Sequence, residues 1–311
     1  MFNATWIMIL LYLFSKEKKT INDYGFQMYD ERYQDLLQAS LAADSYCLGA
    51  HWVYDTEELK GLDIDWEELN APHVAWHEGK GKGDFTHYGD QLRILEQFLK
   101  DKDTFDVGAY MTYWRNEMQT FKGYMDGAIK DTMVNIDKNL TVPCGSNSGD
   151  MSVIGRMVAL LKVSHSKEAF LANTTLLAKA THNNPQVLEA IHFFSALLLT
   201  VLEGNDIRSS ILTLKPLYSQ EIQGYIEAGI SAKDRDTVTT IAAFGSACPT
   251  EFSFPSTIHL LFKYNDYKTA LVKNAMAGGD SAARAMVIAP LFVAQYSLDI
   301  VPKEWLAFNA H

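Results

Sequence analysis

The chain has 311 residues, 48% apolar and 12% aromatic, which is ample for a buried core and excludes disorder as its default state. A formal net charge of -11 excludes nonspecific affinity for nucleic acid or anionic lipid, because both need clustered Lys and Arg to displace counterions. Three cysteines, Cys47, Cys144 and Cys248, stand far apart without CxxC or Cys/His zinc spacing and read as reduced thiols of a cytoplasmic protein.

In chain order the first feature is a continuous apolar run, Trp6 to Phe14, followed by Lys16, Lys18 and Lys19. It is too short to span a bilayer, and it lacks the basic leader and small-residue cleavage site of an export signal. Residues 1–24 therefore read as an extension outside the fold and dispensable to it. Contact with a membrane surface or export is the alternative.

From about residue 31 onward apolar residues recur at helical spacing and period-two runs are scarce. Leu36, Leu37 and Leu41 form one stripe; Leu92, Leu95, Phe98 and Leu99 a second; Val107, Tyr110, Met111, Trp114, Met118 and Phe121 a third. Further helical stretches are Ile154 to Val163, Ala169 to Ala180, Val187 to Leu202, Ile222 to Ile230, Leu271 to Ala277 and Ala282 to Tyr296. Breaks fall at Gly79 to Gly83, Pro143 to Gly149, Asn183 to Pro185, Pro249 to Pro255 and Gly278-Gly279. No linker or shift of composition divides the chain, and no fixed repeat implies a solenoid. One compact, all-α, multi-helical domain over residues 25–311 is the expectation.

Four Gly-Asp dipeptides, ending in Asp84, Asp90, Asp150 and Asp280, stand where helical periodicity begins. Either each Asp caps a helix N-terminus, or several N-termini converge and their carboxylates share a hard cation. The small-residue loop Gly145, Ser146, Asn147, Ser148 suits close approach of a diphosphate, or else forms a turn that caps the next helix. His51 has a pKa suited to general base catalysis, or packs beside Trp52. GKGKG lacks the P-loop pattern, and Trp76, Trp114 and Tyr124 read as core.

Five segments occur in the order of a known family: LAADSYCLGAHWVYD (Leu41 to Asp55), HYGDQLRIL (His87 to Leu95), CGSNSGDM (Cys144 to Met151), KATHNNPQVLEA (Lys179 to Ala190) and GGDSAARA (Gly278 to Ala285). Together they resemble the ADP-ribosylglycohydrolases, a family that also includes jellyfish lens crystallins, and the resemblance covers about residues 36 to 297. It implies an all-α fold whose loops gather two Mg2+ ions over the ribose of an ADP-ribosyl group to cleave an N- or O-glycosidic bond. The partner it implies is an ADP-ribose-like small molecule or an ADP-ribosylated substrate.

Position by position the resemblance makes Asp90 and Asp280 the surviving metal ligands, expected to face each other across a cleft. The family's TDD triplet is here Tyr88, Gly89 and Asp90, and its GGDxDT motif keeps Asp280 but has Ala282 and Ala283. Mg2+ is thus expected as a weakly held single ion or not at all, and Gly89→Asp, Ala282→Asp and Ala283→Thr should restore it if the geometry is kept. Arg284, four residues after Asp280, either stands in for a cation or makes an ordinary surface pair. The family's water-activating Glu has no counterpart, which leaves Asp44, His51 and Asp55 as catalytic candidates. Gly145, Ser146, Asn147, Ser148 and His182 are carried over as ligand-binding. The two functional readings are a glycosidic-bond hydrolase with altered metal use and a noncatalytic binder or structural relative. Nothing in the sequence fixes an oligomeric state.

Overall fold

A computed structural model describes residues 24–309, so the apolar run Trp6 to Phe14 lies outside the described residues. Among those residues the chain is helical as expected, with only isolated bridges, Ser146 to His182 and Asp150 to Pro249, and no strand. Helix α1 (Tyr24–Cys47) starts at Tyr24 rather than near residue 31. Its first turns contain good helix formers such as Gln27, Met28 and Glu31 without an apolar stripe, so hydrophobic periodicity could not mark them.

The Gly-Asp dipeptides do not behave alike. Asp150 caps the helix that follows by accepting the Ser152 N–H at 2.7 Å. Asp84 instead accepts the Gly81 N–H in its own turn, and Thr86 caps α3 (His87–Leu99), the helix after the short α2 (Thr56–Gly61), which places Asp90 inside the first turn. Asp280 stands at the cap position of the last long helix but makes no capping bond. Asp carboxylates without a preceding Gly, Asp55, Asp106, Asp126, Asp206, Asp236 and Asp266, do cap helices. Four of these start short helices that are absent from the expected stretches, Thr56–Gly61, Gly127–Asp137, Ile207–Leu214 and Thr237–Phe244.

Two stretches depart from expectation in kind. Ile154 to Val163 belongs to a 3₁₀ helix, Met151–Val163, enclosed by α1, α3 and other helices. Its three-fold winding sets side chains in three rows, and nearly all of them are buried. The expected break from Pro249 to Pro255 is the start of a helix, Thr250–Lys263. Pro249 stands at its cap position, and Pro255 lies close enough to the N-terminus to cost one backbone bond. The Ser256 hydroxyl donates to the Phe252 carbonyl at 2.7 Å beside it.

The core centres on Ser281–Tyr296, buried from Ser281 to Ala294 and packed on α1 and the 3₁₀ helix. Pro185–Leu202 is long and apolar enough to cross a membrane, but 72% of it is buried inside the domain, as befits a core helix.

Arg284 projects from the central helix and is fully buried, so the surface pair is corrected. Its Nε donates to Asn274 Oδ1 at 2.7 Å, Nη2 to the Gly278 carbonyl at 2.7 Å and Nη1 to the Ser246 carbonyl at 3.3 Å. These bonds hold the turn at Gly278 and Gly279, whose φ angles of 63° and 58° only glycine adopts without strain. A side chain there would also collide with backbone, since a Cβ at Gly278 would lie 2.3 Å from the Val53 carbonyl oxygen and one at Gly279 2.2 Å from that of Ser246. Replacing Arg284 with Met leaves two buried acceptors, Asn274 Oδ1 and the Gly278 carbonyl, unpaired, while the Ser246 carbonyl keeps the Asp280 N–H. Arg284→Met should therefore lower the unfolding free energy by about 3 kcal/mol or more in chemical denaturation. A loss under about 1 kcal/mol would show that the guanidinium does not hold the turn.

Candidate functional site

The site is assembled where the segment after α1 meets the Gly278-Gly279 turn. The Trp52 N–H donates to the Gly279 carbonyl at 2.8 Å, and the Gly279 N–H donates to the Val53 carbonyl at 2.8 Å. The Asp280 N–H is anchored on the Ser246 carbonyl at 2.7 Å. Trp52 takes a φ of 63°, a left-handed conformation that costs a bulky residue about 1–3 kcal/mol and persists because both neighbouring bonds fix it. His51 and Asp280 are thereby brought together, with His51 Nδ1 3.6 Å from Asp280 Oδ1 and both side chains fully buried.

The two expected metal ligands go to different partners. Asp90 binds the Lys80 ammonium through both oxygens at 2.8 Å. Asp280 accepts the Tyr88 hydroxyl at 3.3 Å, and its carboxylate neighbours are Asp150 and Asp126. Burial, reinforced by Asp150, pushes the Asp280 pKa well above the usual carboxylate range. Asp150 is raised to about 6, first by burial and then by the charge of Asp126. Asp150, Cys248 and Asp280 each offer one ligand atom within 4.8 Å of the others.

Asp44 lies behind α3 and accepts the Thr86 N–H at 2.8 Å and the Thr86 hydroxyl at 2.6 Å. Burial raises it to about 6 despite those bonds. Its Oδ2 fills the space beside Gly89: a Cβ there would lie 2.3 Å from Asp44 Oδ2 and 2.7 Å from Phe85 Cβ. No aspartate fits at position 89 without displacing Asp44, so the kept geometry on which restoration by Gly89→Asp depends is not present at this position. Asp55 is exposed and caps Thr56–Gly61 through the N–H groups of Glu57 and Glu58.

In the small-residue loop, the Gly145 and Ser146 N–H groups donate to the Lys179 and Thr181 carbonyls, and the Ser146 hydroxyl donates to Asp131 Oδ2 at 2.8 Å. The Ser148 N–H is taken by the Ser146 hydroxyl, and the Asn147 carbonyl accepts from Asn184. The donors expected to meet a diphosphate are thus largely engaged by the protein. His182 is buried beside Arg156 and Thr181, and burial, then the Arg156 charge, lowers its pKa to about 3.

The open cleft lies next to these groups. It has a volume of about 380 Å³ and includes Trp76, His77, Lys80, His87, Asp90 and Tyr124 in its lining. Trp76 is 57% exposed and Tyr124 is half-buried in the cleft wall, so their assignment to the core is corrected, whereas Trp114 is fully buried as expected. Trp52 meets Trp76 and Tyr124 edge to face, with ring centroids 6.4 and 5.0 Å away. Sequence reasoning missed Trp76, His77 and Lys80 because they lie between helices, where no periodicity separates core from cleft. All three cysteines are free thiols.

The family model for ADP-ribosylglycohydrolase matches residues 27–308. Crystallin J1A of Tripedalia cystophora is 20% identical over 297 residues, spanning 89% of this chain and 91% of that protein. Crystallin J1B of the same animal is 21% identical over 302 residues, with the same coverage. A solved structure titled "ADP-ribosylglycohydrolase-related protein complex" superimposes with a TM-score of 0.73 at 14% identity, covering 91% of this chain and 94% of that one.

Two outcomes test this geometry. Gly89→Ala should destabilise by about 1–3 kcal/mol, the usual cost of overpacking, read by chemical denaturation. An unchanged midpoint would mean that Asp44 does not occupy the space. Acidification should also destabilise the fold. His77 and His182 are lowered to about 3 and His192 and His259 to about 4, in each case chiefly by burial, so their contribution is complete above their unfolded values and lost as pH falls. Asp44 and Asp150, raised to about 6, act in the opposite sense and lose stability as pH rises through that value. Asp280, raised well above the usual range, adds to the carboxylate side, but the histidines, with His51 also lowered, are more numerous, so the melting temperature should fall between pH 7 and pH 5; a rise would contradict the buried, neutral histidines.

Proposed function

The chain belongs to the ADP-ribosylglycohydrolase family, and from that premise we propose that it binds an ADP-ribose-like ligand in the Trp76–Tyr124 cleft without the family's magnesium-dependent hydrolysis. The observation that carries the reading is the occupation of the metal-ligand positions by the protein's own groups. Asp44 Oδ2 fills the place of a side chain at Gly89, and the Lys80 ammonium satisfies Asp90. Tyr88 closes on Asp280. Mg2+ needs near-octahedral oxygen ligation and keeps several waters. Buried Asp280, beside Ala282 and Ala283, offers neither, so the donors that remain do not fit a magnesium pair.

What favours a nucleotide-like ligand is the pairing of aromatic faces with cations. Trp76 and Tyr124 offer stacking surfaces for a base, and Lys122 lines the same cleft as a cation beside the paired Lys80 and Asp90. The names of the two jellyfish crystallins support a noncatalytic role, and that of the solved complex supports the ligand class. The free cysteines suit a reducing, cytoplasmic setting.

Calorimetric titration decides between binding and catalysis. Mg2+ alone should bind no tighter than millimolar, an affinity worth about 4 kcal/mol. ADP-ribose should bind with an affinity that Mg2+ leaves unchanged, and ADP-ribosyl-arginine or ADP-ribosyl-serine peptides should remain uncut. Trp76→Ala should weaken ADP-ribose by about tenfold or more, the lower end of base stacking on an aromatic face. Micromolar binding of two magnesium ions, or turnover that requires them, would overturn the reading.

A further inference from the structure

His51, His77 and His87 come from three separate segments: the loop after α1, a 3₁₀ turn (Ala75–His77) and the first residue of α3. All three are buried, and one nitrogen of each lies within 4.8 Å of one nitrogen of each of the others. Their ring centroids form a nearly equilateral triangle with sides of 5.5, 5.7 and 6.1 Å. Three imidazoles on one tetrahedral zinc, with bonds of about 2.0–2.1 Å, hold their centroids roughly 5 Å apart. Binding would therefore draw each ring inward by less than about 1 Å.

The nitrogens are otherwise unexplained. His51 Nε2, His77 Nε2 and His87 Nδ1 are buried without a hydrogen-bond partner among the described residues, while His87 Nε2 faces Asp126. Buried polar atoms are nearly always paired, so several orphans in one cluster point to a missing partner. Carboxylates stand behind two of the rings, Asp280 Oδ1 at 3.6 Å from His51 Nδ1 and Asp126 Oδ2 at 3.4 Å from His87 Nε2. Histidine ligands are commonly oriented by a carboxylate on the far nitrogen, and Asp280 Oδ1 is itself a buried orphan. The Ala282 N–H also approaches His51 Nδ1, at 3.4 Å, so ligation through Nε2 requires the ring proton to move to Nδ1, where Asp280 Oδ1 stands to accept it.

We infer that His51, His77 and His87 form a binding site for one divalent transition-metal ion of the zinc class. Neutral imidazoles select such ions over Mg2+ or Ca2+, which require oxygen. Trp52 covers one side of the triangle, its centroid 5.0, 5.5 and 4.9 Å from the three rings. His77 and His87 also line the cleft, so the remaining coordination position faces it. The inference does not depend on what the cleft binds.

The test uses Co2+ as a spectroscopic probe of the chelator-treated full chain. One equivalent should bind with the visible bands of tetrahedral nitrogen ligation and be displaced by Zn2+, which should also raise the melting temperature. His77→Phe keeps the ring packing but removes the nitrogens, and His87→Gln removes a second ligand; each should weaken Co2+ by at least about 100-fold while the variant remains folded by circular dichroism. Asp126→Asn should weaken it by about 10–100-fold, as for other groups that orient a ligand. Cys248→Ser should change nothing. Binding no tighter than millimolar, binding indifferent to His77→Phe, or a thiolate-to-cobalt band lost in Cys248→Ser would overturn the assignment, the last by moving the ion to Asp150, Cys248 and Asp280.

Discussion

The reciprocal backbone pairing of Trp52 and Val53 with Gly279 ties the end of the first helix to the start of the last, more than two hundred residues later. The turn that makes it possible needs two consecutive left-handed glycines and the buried guanidinium of Arg284 across their carbonyls. From this junction His51 points into the histidine triangle, the Trp52 indole covers that triangle's side, and Asp280 is carried into the protein without solvent. Loss of the junction would separate His51 and Trp52 from Asp280.

The electrostatics around the junction differ from those of a cation cage. Clustered carboxylates must be neutralised by an ion, by a cationic side chain or by a proton. Here Lys80 neutralises Asp90, while burial and mutual repulsion keep Asp150 and Asp280 inclined to hold protons. Helix α3 can approach α1 closely because Gly89 has no side chain, and the buried Asp44 uses that space. Gly89 thus both lacks an oxygen donor and permits the close contact between these helices. Reinstating one residue cannot reverse a change that the packing has absorbed.

The helical class, the single domain and the family were legible because each rests on signals spread along the chain: apolar spacing in long helices and five ordered segments. Trp114 and the stripe around it behave as expected for a core helix. Short helices such as Gly127–Asp137 were invisible to periodicity, although their Asp caps were in plain view. The cleft was the least legible part. Trp76 and His77 sit in a turn, and Lys80 lies in a glycine-rich stretch without a phosphate-binding pattern, so only folding reveals that they share a surface with His87 and Tyr124. The histidine triangle follows the same logic, since its members are separated by 26 and 10 positions (77 − 51 and 87 − 77), spacings that match no metal motif.

The central claim is that the family's metal seat is filled by protein groups rather than awaiting an ion. Anomalous diffraction at the manganese edge, from crystals soaked in millimolar Mn2+ with ADP-ribose, addresses it directly, because Mn2+ substitutes for Mg2+ at oxygen sites. The account predicts no anomalous peak between Asp90 and Asp280, with Lys80 still on Asp90 and Asp44 still against Gly89. Two peaks there, separated by about 3.5–4 Å as in binuclear sites, would contradict it.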